Sequence, residues 1–386
     1  MSVETITLGC RLNFAESAMI ARSAPADENW IIVNSCAVTN EAVRQTRQAI
    51  RRAQRQRPSA KILVTGCAAE LDPATFAAMP EVARVVRNTN KLNALAPNDV
   101  MAPAGLLANV KSFVAVQTGC DHRCTFCSIW QARGPSRSLP FTAIRDAVAR
   151  EIDRGAKEIV LTGVDITDYE GGLGRLCQQL LDSEPRLKRL RLSSLDSIEI
   201  DDALFELMAG EPRLMPHFHL SLQAGDDMIL KRMKRRHTCA DAIRTVEQIK
   251  RARADATIGA DLIAGFPTET EEMALNSLKL LEDCNIVAAH IFPFSARANT
   301  PAARMPQLPP ELVKARAARL RSAAANRRAV WLDSLTGSTL PALIEGPSKG
   351  HTDNFAPIAL SGARRGQSGN VRIVERDNDR LTAVWA

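Results

Sequence analysis

Two rhythms of hydrophobic and polar residues alternate along the first hundred positions. Thr5–Leu8, Trp30–Val33 and Lys61–Val64 are short apolar runs of strand length, and Val82–Val86 is a possible fourth. Between them, Phe14–Arg22 and Thr39–Gln56 carry a helical period, the second with Thr39 as N-cap and Pro58 beyond its end. Short buried strands alternating with helices predict a parallel, doubly wound sheet. Residues 88–111 bring Asn, Pro, Gly and Ala without a period and read as a linker. From Ser112 the alternation resumes and repeats six times. Strands are predicted at Phe113–Gln117, Glu158–Thr162, Arg189–Leu192, His217–Leu222, Thr257–Leu262 and Val287–Phe292. Helices are predicted at Phe141–Arg154, Leu173–Ser183, Asp201–Ala209, Met228–Arg235, Ala240–Ala254, Glu269–Asp283 and Glu311–Leu332. Six such units make a partial or complete β/α barrel, whose chemistry gathers at the carboxyl ends of the strands. After Leu335, the runs Leu340–Ile344, Pro357–Leu360, Val371–Val374 and Leu381–Val384 alternate with turn residues, as in a small antiparallel barrel. The expected architecture is α/β, in three domains at 1–100, 112–333 and 335–386.

Composition narrows the setting. Of 386 residues, 45% are hydrophobic, enough for a sizeable core, and nine cysteines leave an odd count. The start of the chain lacks the basic and then apolar regions of a signal peptide. No apolar run approaches the roughly 20 residues of a membrane span. These features fit a protein of a reducing cytoplasm whose thiols serve metal rather than disulfides, with no membrane partner. A net charge of +7 favours polyanionic partners, above all nucleic acid, although a generic basic protein fits it equally well.

The cysteines carry the chemistry. Cys120, Cys124 and Cys127 stand at a C-x3-C-x2-C spacing just past the first barrel strand, with the aromatic Phe126 before the last of them. Soft thiolates on one tight loop suit an iron–sulfur cluster, and three ligands for four irons leave one iron open to a small molecule. The alternative is a zinc knuckle with His122 as fourth ligand, which lies inside the loop in poor tetrahedral geometry. Cys10, Cys36 and Cys67 follow three separate strand ends of the first domain. Carboxyl ends of parallel strands meet at one edge, so these three can converge on a second cluster; three buried packing cysteines are the alternative. Cys177, Cys239 and Cys284 have no spaced partner and read as packing residues, and His217 and His219 as structural. Polar residues at other strand ends, namely Thr162-Gly163-Val164-Asp165, Ser193-Ser194, Gln223, Asp261 and Ser295, trace a rim where substrate or cofactor would sit. Arg44, Arg47, Arg51, Arg52, Arg55 and Arg57 lie largely on one helix face, either solvated or in contact with RNA.

The ordered motifs resemble the methylthiotransferases of the radical S-adenosylmethionine (SAM) superfamily. The resemblance spans nearly the whole chain. It rests on the six cysteines, on Gln117-Thr118-Gly119-Cys120 and on Ala132-Arg133-Gly134-Pro135-Ser136-Arg137-Ser138. It rests also on Leu222-Gln223-Ala224-Gly225, Asp261-Leu262-Ile263-Ala264-Gly265-Phe266-Pro267, Phe294-Ser295-Ala296-Arg297 and a terminal TRAM-like barrel. Thr7-Leu8-Gly9-Cys10-Arg11-Leu12-Asn13-Phe14-Ala15-Glu16-Ser17 is most similar to the branch acting on threonylcarbamoyladenosine in tRNA. Sister branches act on isopentenyladenosine in tRNA or on an aspartate of a ribosomal protein. A non-catalytic iron–sulfur RNA-binding protein is the remoter reading, against which the polar rim speaks. The chain departs from the family in being short between Arg22 and Trp30 and in its short, nearly neutral tail.

The resemblance implies two 4Fe–4S clusters, one on Cys120, Cys124 and Cys127 and an auxiliary one on Cys10, Cys36 and Cys67. SAM would bind the open iron of the first, with Phe126, Asp165, Ser194 and Gln223 as further cofactor-binding candidates. Reductive cleavage of SAM would give a 5′-deoxyadenosyl radical that takes hydrogen from C2 of the adenine. Sulfur would then come from the auxiliary cluster and the methyl group from a second SAM. The partners implied are a tRNA anticodon stem-loop and an electron donor such as flavodoxin or ferredoxin.

Overall fold

The computed structural model describes residues 3–23, 29–91 and 110–386. Most of the expected linker at 88–111, and residues 24–28 of the short stretch before Trp30, lie outside them. The N-terminal elements are β1 (Glu4–Thr7), α1 (Arg11–Ser23), β2 (Trp30–Ser35), α2 (Asn40–Gln56), β3 (Lys61–Gly66), α3 (Cys67–Leu71), α4 (Pro73–Ala77) and β4 (Arg84–Val85). The four strands pair in parallel in the order β1-β2-β3-β4. Every residue of β2 is buried because helices cover both faces. Ile31, Val33, Ile62 and Val64 meet Ile50 and Ala53 of α2, whereas Trp30, Ile32 and Leu63 meet Ile20 of α1. The Thr39 hydroxyl accepts from the Ala42 amide at 3.1 Å and caps α2, as its sequence requires.

The central part comprises β5 (Lys111–Ala115), β6 (Gln117–Thr118), α5 (Ile129–Arg133), β7 (Arg137–Ser138), α6 (Phe141–Asp153), β8 (Glu158–Thr162), α7 (Leu173–Ser183), β9 (Leu190–Leu192), α8 (Asp202–Gly210), β10 (His217–Gln223), α9 (Asp227–Met233), α10 (Cys239–Ala252), β11 (Thr257–Ala264), α11 (Glu271–Asp283), β12 (Ile286–Pro293) and α12 (Pro310–Ser334). Two parallel three-stranded sheets, β5-β8-β9 and β10-β11-β12, are joined where Leu195 donates to the His219 carbonyl at 2.8 Å and accepts from the Ser221 amide at 2.9 Å. The result is a partial β/α barrel. Period-two alternation decides what each strand presents inward. Ile159, Leu161, Leu190, Leu192, Phe218, Leu220, Ile258 and Ala260 face out into the core beneath the helices. Glu158, Arg191, His219 and Asp261, which alternate with them, therefore line the lumen. Leu12 and Ala15 of α1 pack with Phe113 and Ala115 of β5, so the first domain sits against the barrel.

The last part is a closed barrel of β13 (Thr339–Gly346), β14 (Lys349–Thr352), β15 (Pro357–Ala359), β16 (Ser368–Asp377) and β17 (Arg380–Trp385), in the order β13-β14-β15-β17-β16. It differs from the antiparallel expectation at one seam, where β15 and β17 run parallel. Strand β14 gives no apolar signal because its inward positions are Gly350 and Thr352. The β14–β15 turn plugs the amino-terminal end of the β/α barrel. Phe355 stacks between His217 and His351 at 4.8 and 4.6 Å, with Arg191 over its ring at 4.8 Å and Lys111 at 5.1 Å.

Candidate active site

The first domain delivers three cysteines to one edge of its sheet. Cys36 directly follows β2, Cys67 opens α3 directly after β3, and Cys10 precedes α1. Two glycines make the convergence possible. Gly9 (φ +93°) passes so close that a Cβ on it would lie 2.6 Å from Cys36 Sγ, and a Cβ on Gly66 (φ +93°) would lie 2.4 Å from Asn34 Oδ1. Cys10, Cys36 and Cys67 are within electrostatic reach of one another. Burial pushes the Cys36 thiol up to about 11, against which the Val38 amide, 3.5 Å from its sulfur, pulls it down.

The Cys120–Cys127 loop follows β6 and stands at the carboxyl end of the barrel. Burial raises Cys120 to about 12 and Cys127 to about 11, so without a bound metal both are thiols. Donors already point at the sulfurs: the Ile129 amide at 3.4 Å from Cys127 and Arg235 Nη1 at 3.8 Å from Cys124. Two triads of free cysteines with N–H groups aimed at sulfur fit the donor set of iron–sulfur clusters. Cys127 also feels Cys67, which places the triads side by side.

A buried ion pair fixes that adjacency. Arg133, at the end of α5, donates Nη1 to Glu16 Oε1 at 2.8 Å, Nη2 to Asn13 Oδ1 at 2.6 Å and Nε to Cys67 Sγ at 3.3 Å. Lys91 meets the other Glu16 oxygen at 2.5 Å. Glu16 is held near 2: burial pushes it up, and Arg133 followed by Lys91 more than reverses that. Lys91 itself is pulled down by burial and then by the repulsion of Arg133. A second contact joins Asn40, at the start of α2, to Ser295 Oγ and to the Ala296 carbonyl at 3.3 and 3.2 Å.

Above the lumen, the rim concentrates carboxylates. Asp165 takes the Thr167 hydroxyl at 2.7 Å, and its pKa is raised by burial and then by Glu199. His122 turns away from the cysteines: its Nε2 lies 3.2 Å from Asp165 and 3.4 Å from Glu199, and its Nδ1 lies 3.7 Å from Asp196. The zinc-knuckle alternative therefore loses its fourth ligand. Arg235 pairs with Asp196 at 2.8 Å, and Arg236 with Glu199. Gln223 ends β10 with φ +69°, a left-handed conformation at the rim, and Ser194 follows β9 half-buried. Phe126 packs against the apolar cluster that includes Phe266 and Ile229.

Two family models match parts of the chain. One described as the radical SAM superfamily matches residues 114–281, and one described as uncharacterized protein family UPF0004 matches residues 2–87. The threonylcarbamoyladenosine tRNA methylthiotransferase of Rickettsia prowazekii is 43% identical over 92% of this chain and 91% of its own length. The chain belongs to the radical SAM methylthiotransferase family. The enzyme of the same name from Thermotoga maritima is 34% identical over 81% of this chain and 79% of its own. The tRNA-2-methylthio-N(6)-dimethylallyladenosine synthase of Erythrobacter litoralis is 30% identical over 89% of this chain and 86% of its own. In fold, the chain is similar to the radical SAM methyltransferase TsrM of Kitasatospora setae, with TM-score 0.56 and 12% identity over 81% of this chain and 80% of that one. Membership of the radical SAM superfamily brings SAM and a 4Fe–4S cluster. No helix among the described residues is long and apolar enough to cross a membrane.

Several residues around the site were not singled out from the sequence. Asp196 and Glu199 lie in the loop after β9 and Arg235 between α9 and α10, while Glu16 and Arg133, named only within family motifs, become a pair where the two domains meet. His219, taken as structural for want of a third ligand, meets Asp261 at 3.0 Å, and Asp261 meets His290 at 3.1 Å. The third member sits on another strand, beyond any local spacing. Cys177 and Cys284 are fully buried in the main core, and Cys239 packs at its edge. Of the arginines on α2, Arg44 is exposed and paired with Glu41 at 2.7 Å, and Arg47 is half-buried over the Phe76 ring at 6.0 Å. Arg51, Arg52 and Arg55 are exposed.

Proposed function

We propose that this enzyme inserts a methylthio group at C2 of threonylcarbamoyladenosine beside the anticodon of tRNA. Cys120, Cys124 and Cys127 hold the cluster common to radical SAM enzymes, and Cys10, Cys36 and Cys67 hold a second one. When bound, the first cluster supplies the electron that cleaves SAM, and the second presents the sulfur to be transferred. The observation that carries this reading is the adjacency of the two triads, with Arg133 in hydrogen-bond reach of Cys67 and locked to Glu16. Adjacency matters because a base held between the sites exposes one carbon atom to both.

The remaining residues bind, orient and exclude water. The rim carboxylates Asp165, Asp196 and Glu199 suit the amino group and ribose of SAM, and Phe126 backs its site with an apolar wall. The Gln117 amide oxygen holds the backbone amides of Val164 and Asp165, each at 3.0 Å, and so fixes the rim. Phe355 closes the far end of the lumen and helps to keep a reactive intermediate from solvent. A small low-potential protein of the flavodoxin or ferredoxin type serves as electron donor.

The test uses anaerobically reconstituted enzyme, SAM, a reductant and two tRNAs, one carrying threonylcarbamoyladenosine and one isopentenyladenosine. Methylthio product on the first is the expected result; product confined to the second returns the chain to the sister activity.

A further inference from the structure

The lumen below the rim holds a cation that the chemistry above does not employ. Arg11 is the first residue of α1, next to Cys10, and its guanidinium lies over the Phe113 ring at 6.0 Å. It donates no hydrogen bond to any described residue. Arg11 is half-buried, so its five N–H donors have lost part of their water and a matching acceptor there would be favourable.

The charges around it are otherwise engaged. Deeper in the lumen, Glu158 takes Arg191 at 2.9 Å, Arg189 at 3.1 Å and Lys111 at 3.3 Å, and Lys111 also meets Glu345 at 2.7 Å. Nearer the rim, one oxygen of Asp261 faces both His219 and His290, whose rings lie 4.6 Å apart. The charges that Arg11 feels are Arg191, which repels it, and Glu158 and Asp261, which already have partners. His219, Asp261 and His290 have the donor set of a divalent-metal site. The Arg11 guanidinium near that set opposes a dication and favours an anion.

We infer that Arg11 is the receptor for a carboxylate on the substituent of the target base, with His219, Asp261 and His290 placed for the neighbouring hydroxyl and N–H groups. The inference rests on the function proposed above and names what selects within it. A threonylcarbamoyl group ends in a carboxylate, whose two oxygens match the planar guanidinium fork. An isopentenyl group brings no acceptor and would cover the half-buried Arg11 without pairing it, so the residue that selects one substrate also rejects the other.

The experiment uses the reconstituted holoenzyme and anticodon stem-loop RNAs carrying threonylcarbamoyladenosine or its methyl ester. Wild type is expected to turn over the acid with kcat/KM on the order of 100-fold above the ester, most of it in KM. In Arg11→Gln the acid-to-ester ratio is expected to fall to near one, and in Arg11→Lys to recover part of its value. A ratio is unaffected by cluster occupancy, so loss of iron next to Cys10 does not obscure the result. Equal turnover of acid and ester by wild type overturns the inference, as does a ratio that persists in Arg11→Gln. Zinc or manganese that remains after cluster removal and is lost in His219→Ala also overturns it, by making the lumen a cation site. No product from either RNA in wild type instead refutes the proposed function.

Discussion

Replacing Glu16 by Gln keeps the side chain's shape and removes the charge that holds Arg133 and Lys91. All three groups are nearly buried, with side-chain exposures of 8, 2 and 3%. Two routes give the magnitude. Removing one partner of a buried pair leaves an uncompensated charge, worth about 3–5 kcal/mol. Independently, Glu16 is held near 2 against an ordinary 4.5, which corresponds to about 3 kcal/mol at ~1.4 kcal/mol per pH unit. Amide exchange of α1, which Glu16 anchors to α5, is therefore expected to accelerate on the order of 100-fold in Glu16→Gln. The sign in pH follows from the lowered pKa. The stabilisation is complete above the unfolded value and is lost as pH falls through the folded one. The gap between wild type and variant should be constant above about pH 5 and close within about one unit of pH 2. Hydrogen exchange read by mass spectrometry measures both. An acceleration below about fivefold, or a gap that persists at pH 2, refutes the reasoning that this pair locks the domains.

Ser at Cys177 or Cys284 is expected to lower stability by about 1–3 kcal/mol, because each sulfur sits in the apolar core, while iron per chain stays constant; loss of a cluster from either variant would contradict the ligand assignment. Changing Arg51, Arg52 and Arg55 together to Glu should weaken tRNA binding and flatten its log–log salt dependence by about 2, at ~0.7 per phosphate contact; an unchanged slope would return this face to solvent. Phe355→Ala should reduce stability by about 2–4 kcal/mol through loss of the stacked plug, read in thermal unfolding; a change below about 0.5 kcal/mol would mean the turn merely rests against the barrel.

Both cysteine triads could be read from the sequence because each repeats a local pattern: three cysteines within eight residues in one case, three strand ends in the other. The barrel was legible for the same reason, since each β/α unit carries its own period. What joins the parts was not. Glu16 and Arg133 stand in two of the family motifs, but they are far apart in sequence and nothing local shows that burial makes each the other's partner. His219, Asp261 and His290 come from three strands, so their meeting is a property of sheet register. Strand β14 was missed because Gly350 and Thr352 are buried without being apolar. The plug at Phe355 depends on a loop whose single aromatic residue gives no periodic signal.

The most direct test of the central claim is the nucleoside composition of tRNA from cells with and without this protein. Mass spectrometry is expected to find the 2-methylthio derivative of threonylcarbamoyladenosine only when the protein is present, with its unthiolated precursor accumulating in its absence. It is expected to be lost likewise when Cys67 or Cys127 is changed to Ala. An unchanged level of that nucleoside in cells lacking the protein, with the isopentenyl counterpart lost instead, would contradict the account.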